Sequence, residues 1–385
     1  GDVYKRQRYD IDHFAETANN GILNDIWNAW YNGIYRCNDV LDHMTGAKIA
    51  NYDKYRGECL FLRSWWYFNL YRVFGVVPIT RTVVTPAAAK LIPRCTEEEM
   101  YTLLTEDLAE AARLLPPTPG PEKARVANIA AYTLLAKVYL TFGKPAEAKT
   151  ALEEAMKNTS YGLESTTKKV FDVGNKMNRE IIFALYYNKT NDNGHGYWYS
   201  ANTDVLADIN NPTPTFKAIY DSEKDNRLPL ISSYTKIKDN LFAMTKWYDT
   251  YDATYTTQVG NDFPHLRYAD VVLMYAEALA ESGGSLGDAL EWLNKTRTRA
   301  GLDELTTDEV KSLAEFRREL AAERGREFAL EGHRWFDLVR LGLAVDYFRE
   351  MGYSLDSHNL IFPIPQNQIE IVNNPSILWQ NPGFN

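Results

Sequence analysis

Cysteine is scarce in this 385-residue chain, with only Cys37, Cys59 and Cys95. An odd set without C-x-x-C spacing supplies neither a disulfide framework nor a thiolate zinc site, so buried thiols are expected. The six histidines (His13, His43, His195, His265, His333 and His358) show no H-x-H or H-E-x-x-H spacing, so no metal centre is expected. No glycine-rich loop is arranged to cradle phosphate. No EF-hand-like spacing supports a calcium site among the Asp/Asn-rich loops. No apolar run is long enough to span a bilayer. Basic residues are outnumbered, 42 against 51 acidic, and form no long run. The net charge of −9 therefore leaves no electrostatic footprint for nucleic acid. No cofactor is expected.

What remains is ample for a large core in one large or two modest domains, at 45% hydrophobic residues. Aromatics stand out, with 25 Tyr, 16 Phe and 9 Trp. The chain starts without Met, and Asp2 to Gln7 resembles a translated sequencing-library adapter. Residues 1–7 are set aside on that ground. The missing leader peptide then carries no message about localisation.

Apolar spacing is mostly helical. Helices are expected over Ile22–Asp42 and Tyr52–Phe74, the second ended by Gly75 and Pro78. Thr96-Glu97-Glu98-Glu99 fits a capping box and opens a helix to Leu115, where Pro116-Pro117 stops it. An alanine-rich helix is expected over Val126–Phe142, and Pro145 opens another ending near Met156. Tyr132, Leu135, Ala136, Tyr139, Ala148, Leu152 and Ala155 fall at tetratricopeptide spacing. Small residues let two helices approach, and large ones fill the gaps. Ala276, Leu279, Ala289 and Leu293 repeat the pattern with one extra residue in the turn. Helices are also expected over Tyr268–Ser282, Leu286–Ala300 and Leu313–Leu341. The middle differs. Glu180–Tyr187 is a strand candidate, and Asn188–Gly260 is a long irregular segment of the kind that carries function.

Two motifs could suggest catalysis. Gly283 to Gly287 matches G-x-S-x-G, but a nucleophile elbow needs a strand before it, and here a helix precedes Ser285. The helix expected over Leu313–Leu341 includes the charged stretch that starts at Arg324, and it carries Glu323, Glu327, Glu331 and Arg334 on a stripe beside His333. Carboxylates near a histidine suit general acid–base work. Local pairs (Arg324–Glu327, Glu331–Arg334, Asp337–Arg340) instead favour a structural ion network.

The aromatic loops are the candidate site. Asp192, Asn193, Tyr197, Trp198, Tyr199 and Asn202 lie in one polar, glycine-rich stretch. Trp247, Tyr248, Asp249 and Tyr251 form a second. Sugar C–H faces stack on rings, while amides and carboxylates take hydroxyls; Tyr and Trp, apolar with a polar tip, suit such a surface. The same rings could instead pin long loops to the core. In the binding reading Trp198 and Trp247 are the platforms and Tyr197, Tyr199, Tyr248 and Tyr251 flank them. Asp192, Asn193, Asn202 and Asp249 then hydrogen-bond the ligand. A shallow, wet face implies dissociation constants of roughly micromolar to millimolar.

Read together, the helical stretches resemble the SusD/RagB family. Glu58-Cys59-Leu60-Phe61-Leu62-Arg63 with Tyr67-Phe68, Phe74-Gly75 and Pro78 is similar to its E-A-x-F-L-R-A…Y-F…F-G…P. Leu266 to Ala278, Leu293 to Gly301, and the stretch from Arg324 onward follow in family order. Pro363-Ile364-Pro365 and Gln380-Asn381-Pro382-Gly383 close the chain in the same way. The resemblance implies a mainly α fold of tetratricopeptide-like stacked hairpins, with a long irregular loop-rich insert and few short strands. It implies a single domain over 8–385: hairpins to 160, a loop-rich ligand-binding region over 161–265, and C-terminal helices with an extended tail over 266–385. It further implies a non-catalytic outer-membrane lipoprotein of the cell surface. Such a protein binds oligosaccharide or polysaccharide and delivers it to a TonB-dependent SusC-like transporter. A peptide-binding member, or a scaffold binding only the transporter, is the alternative. The family's ligand residues lie in variable loops and do not transfer.

Overall fold

A computed structural model describes residues 3–187, 200–202, 212–238, 241–248 and 260–384. Among them are eight helices of twelve residues or more: α1 (Gly21–Met44), α2 (Tyr52–Phe74), α3 (Glu97–Leu114), α4 (Asn128–Thr141), α5 (Pro145–Met156), α6 (Tyr268–Glu281), α7 (Leu286–Arg299) and α8 (Leu313–Glu327). The described residues cluster into two compact units, one of residues 1–116 and 338–385 and one of 117–337.

In the first unit α2 packs against both α1 and α3. Its F-L-R-…-Y-F run shows why those residue types recur together. Phe61, Tyr67 and Phe68 are fully buried. Arg63 lies among them and is satisfied at every arm. It forks onto Asp107 of α3 at 2.7 and 2.9 Å, and reaches Asn38 of α1 and the Arg81 carbonyl at 2.9 Å. One guanidinium thus ties three elements, the geometry in which Arg outperforms Lys. The capping box holds as read, with Thr96 Oγ1 accepting from Glu99 N–H and Glu99 accepting from Thr96 N–H. The closing Q-N-P-G anchors the tail. Gln380 pairs both ways with the Ile364 backbone, and Asn381 donates to the Phe74 and Phe362 carbonyls.

The second unit contains the hairpins α4–α5 and α6–α7, with α5 packed against α6. Ala136, Ala148 and Ala155 are fully buried where the helices of the first hairpin meet, as tetratricopeptide spacing requires. Its turn has three residues and the second has four, which is the extra residue read in the sequence. Gly143 and Gly283 supply the positive φ that each turn needs. Ser285 is no nucleophile elbow. It is the N-cap of α7, accepting from Asp288 N–H at 3.1 Å.

The expected strand is β1 (Ile181–Leu185), antiparallel to β5 (Phe263–Arg267). Antiparallel β2 (Ser200–Asn202), β4 (Leu241–Met244) and β3 (Tyr234–Lys238) form a second sheet with β4 central. The helix expected over Leu313–Leu341 is broken. α8 stops at Glu327, and Leu330 and Gly332 adopt φ of +63° and +79° before a short helix at Arg334–Arg340. Gly332 is the sequence signal for that break. The carboxylates at 323, 327 and 331 therefore do not form one helical stripe.

Candidate functional site

The break in α8 turns its charges inward. Arg267, at the end of β5 and 1% exposed, donates to Glu180 at 2.6 Å, to the Glu327 carboxylate at 2.9 Å, and bidentately to Glu331 at 2.7 and 3.0 Å. Arg299 bridges Glu180 and Glu327 from α7. Arg227 joins Asp225, Glu323 and Glu327. Arg326 and Thr296 complete Glu323, and Lys246 reaches Glu331 at 2.7 Å and the Ala329 carbonyl. Five cations face five carboxylates, so the buried cluster is compensated. The structural reading of this motif stands, and Arg324, Glu327 and Glu331 have partners distant in sequence. Arg324 pairs with Asp270 and Asp337, Glu327 with Arg227, Arg267 and Arg299, and Glu331 with Arg267 and Lys246.

Electrostatics follow burial and neighbours. Burial alone would raise the Glu327 carboxyl, but Arg299, Arg267 and Arg227 hold it well below the usual carboxylate range. Burial opposes Arg227 and Arg326 at Glu323 in the same way, and the arginines prevail. Burial also opposes Lys137 and Arg324 at Asp270, which is held low. His333 stacks on Phe328 at 4.5 Å, and burial, helped by the Lys137 charge, pushes it well below its ordinary value. These carboxylates are wholly buried with their oxygens engaged, so they hold elements together and do not face a substrate.

A pH dependence follows. A neutral His333 leaves the unfolded chain to take up the proton, so stability should fall as pH drops below about 6.5. The lowered Glu323 and Glu327 contribute stability that is full above about 4.5 and lost below it, partly offset by Glu180, which burial pushes the other way. Melting temperature should decline between pH 6.5 and 5, and His333→Phe should flatten that slope. An unchanged slope in the variant would contradict a neutral buried His333.

The network also mounts the loops. Lys246 and Trp247 form a short 3₁₀ turn directly after β4, where Thr245 N–H donates to Ser233 O at 3.0 Å. The lysine locks this turn to the residues following α8. Trp247 is 1% exposed, stacked on Phe263 at 5.3 Å and 12° and met edge-on by Phe171 at 5.2 Å. The expectation of Trp247 as a ligand platform is therefore corrected, since aromatic side chains occupy its faces. Tyr248, next along, is half-buried. Asn202 lies in β2. Asp192, Asn193, Tyr197, Trp198, Tyr199, Asp249 and Tyr251 lie outside the described residues. Ser200, directly after Tyr199, pairs antiparallel with Ala243, and β4 continues from there toward Tyr248. Chain entering β2 and chain leaving β4 thus share one end of the sheet.

Among the described residues no group of His, Cys, Asp and Glu could hold a metal ion, and no helix is long and apolar enough to cross a membrane. Sequence reading passed over Arg227, Lys246 and the exposed Tyr186, because none sits in a local pattern that signals its role.

The fold defines a tetratricopeptide-like scaffold of helical hairpins with a loop-bearing insert. Family models described as "SusD family" and "Starch-binding associating with outer membrane" match residues 225–384 and 2–140 respectively. The chain belongs to the SusD/RagB family. It is 26% identical to SusD-like protein P2 of Formosa agariphila, over 98% of this chain and 84% of that protein. A SusD superfamily protein from Bacteroides vulgatus has the same fold, with a TM-score of 0.82 at 23% identity over 97% of this chain and 88% of that one. A laminarin-binding SusD-like protein matches with a TM-score of 0.74 at 26% identity, over 93% and 85% of the two chains. The family description places the chain in association with the outer membrane.

Proposed function

We propose that this protein captures glycans at the cell surface, without chemistry of its own, and delivers them to a TonB-dependent SusC-like transporter. The observation that supports the reading is the β2–β4 register: Ser200, which follows Tyr199 in the chain, lies beside Ala243 on the strand that leads to Tyr248. Support also comes from the laminarin-binding relative and the starch-binding family description. Trp198 is the platform, flanked by Tyr197, Tyr199, Tyr248 and Tyr251. Asp192, Asn193, Asn202 and Asp249 take the hydroxyls. The chain's net charge of −9 favours neutral ligands over acidic peptides. A lipid anchor holds the protein at the membrane in this reading, and its test is labelling of the native protein with a palmitate analogue.

Two stretches serving one site must couple. Trp198→Ala and Tyr248→Ala are each expected to weaken binding of a glycan retained by the wild type. The double variant should lose less than the sum of the two losses, the non-additivity of residues sharing a ligand. Calorimetric titration of the four proteins checks this. Strict additivity would separate the two stretches into independent roles.

A further inference from the structure

The strand β1 is buried over its first four residues and then surfaces abruptly, with Leu185 at 46% and Tyr186 at 54% exposure. An exposed ring at the end of a buried strand is free to wander unless something holds it. Here it is held. The Lys176 ammonium lies 3.8 Å from the centroid of the Tyr186 ring, a cation–π contact. Lys176 is itself fixed, paired with Asp262 at 2.8 Å and donating to the Tyr187 carbonyl. Asp262 accepts from Tyr187 N–H at 3.1 Å, so the backbone just past the ring is locked as well. The anchoring carboxyl and ammonium lie on segments far apart in sequence.

The ring borders a cleft of about 330 Å³ with Pro121, Glu122, Lys123, Met177 and Lys176. That volume falls at the small end of the roughly 300–1,000 Å³ found for small-ligand sites. Its wall offers an apolar face in Tyr186 and Met177, and polar groups in Glu122 and Lys123. Arg125 pairs with Glu122 at 3.5 Å, and the Glu122 side chain stays exposed at the rim. A preorganised ring beside polar side chains in an open cleft is the composition that a pyranose requires: a C–H face to stack and hydroxyls to bond. Tyr186 precedes Tyr197 by eleven residues in the chain.

We infer that Tyr186 and the Pro121–Lys123 rim form a further sugar subsite, which binds a distal pyranose of a glycan whose other units occupy the Trp198 site. The inference rests on the glycan-binding reading above. Its signature is chain length. A short oligosaccharide reaches only one of the two places, whereas a long one engages both and gains from the linkage.

The test compares a short and a long oligosaccharide of one soluble glycan retained by the wild type, titrated against wild type, Tyr186→Ala, Tyr186→Phe and Trp198→Ala. Tyr186→Ala is expected to weaken the long ligand about tenfold and leave the short one unchanged, on the scale of one aromatic contact. Tyr186→Phe keeps the stacking face and should retain affinity for both. Equal affinity of Tyr186→Ala and wild type for the long ligand overturns the subsite. Loss in Tyr186→Ala with none in Trp198→Ala keeps this cleft as a sugar site and overturns the Trp198 assignment instead. A folded state matching wild type by circular dichroism is a condition for reading the variants. Tyr186 is solvent-exposed, so its truncation leaves the core intact.

Discussion

Arg267→Ala is expected to destabilise the protein by about 3–5 kcal/mol, the cost of stranding buried charges. The residue is 1% exposed and serves three carboxylates, Glu180, Glu327 and Glu331. Removing it leaves five carboxylates facing four cations in a site without solvent. Its guanidinium also lies over the Phe328 ring at 4.6 Å, which Arg324 meets at 5.0 Å as well, so packing is lost with the charge. The comparison is Arg317→Ala. That side chain is 40% exposed and pairs with Glu281, so its loss should cost under about 1 kcal/mol. Urea denaturation of the two variants measures the contrast. Equal small losses would mean that the buried cluster is not what holds β5 to α8.

Trp247→Ala is the second large effect, again about 3–5 kcal/mol, as for a truncated core aromatic. The ring fills a space closed by Phe171, Phe263 and the Lys246 side chain, which itself lies 4.4 Å from the Phe171 ring. Cavity formation and loss of two ring contacts add to lost burial. Trp247→Phe keeps an aromatic in place and should cost much less. Because no ligand reaches Trp247, the Phe variant should retain glycan affinity. Affinity lost in a fully folded Trp247→Phe would restore that ring as a binding surface.

These two residues mark the limit of what was legible in the sequence. Local signals were read correctly wherever the physics is local. The Thr96 capping box, the Gly143 and Gly283 turns and the alanine seams of the hairpins depend on residues within one turn or one helix pair. Trp247 lies in a run, Lys-Trp-Tyr-Asp, that reads as wet loop. Its burial is decided by Phe171 and Phe263, which no spacing rule connects to it. The ion network failed in the same way. Its charges carry i,i+3 partners in sequence, but the break at Leu330 and Gly332 redirects them to Arg227, Lys246 and Arg267. The family motifs nevertheless contained these residues. Arg267 opens the R-Y-A-D run, and Glu327 and Glu331 lie in the stretch from Arg324 onward. The motif's charges belong to the scaffold, where they are buried and tie β5, α7 and the turn after β4 to α8 and the residues after it.

The candidate site was the least legible part for a further reason. Rings in polar loops have no periodicity, so composition alone cannot separate a platform from a pin. One such ring, Trp247, is a pin. Tyr186 is the converse, an exposed ring at the end of a run that the sequence marked only as a strand candidate.

The central claim is glycan capture by the aromatic stretches that flank β2 and β4 in the chain. Its most direct test is native affinity electrophoresis of the chain through gels containing different soluble polysaccharides, beside Trp198→Ala. The account predicts that at least one polysaccharide retards the wild type. The variant should bind that polysaccharide with an affinity weaker by about 2 kcal/mol or more, roughly thirtyfold. Migration unaffected by every polysaccharide, or retarded equally in both proteins, would contradict it.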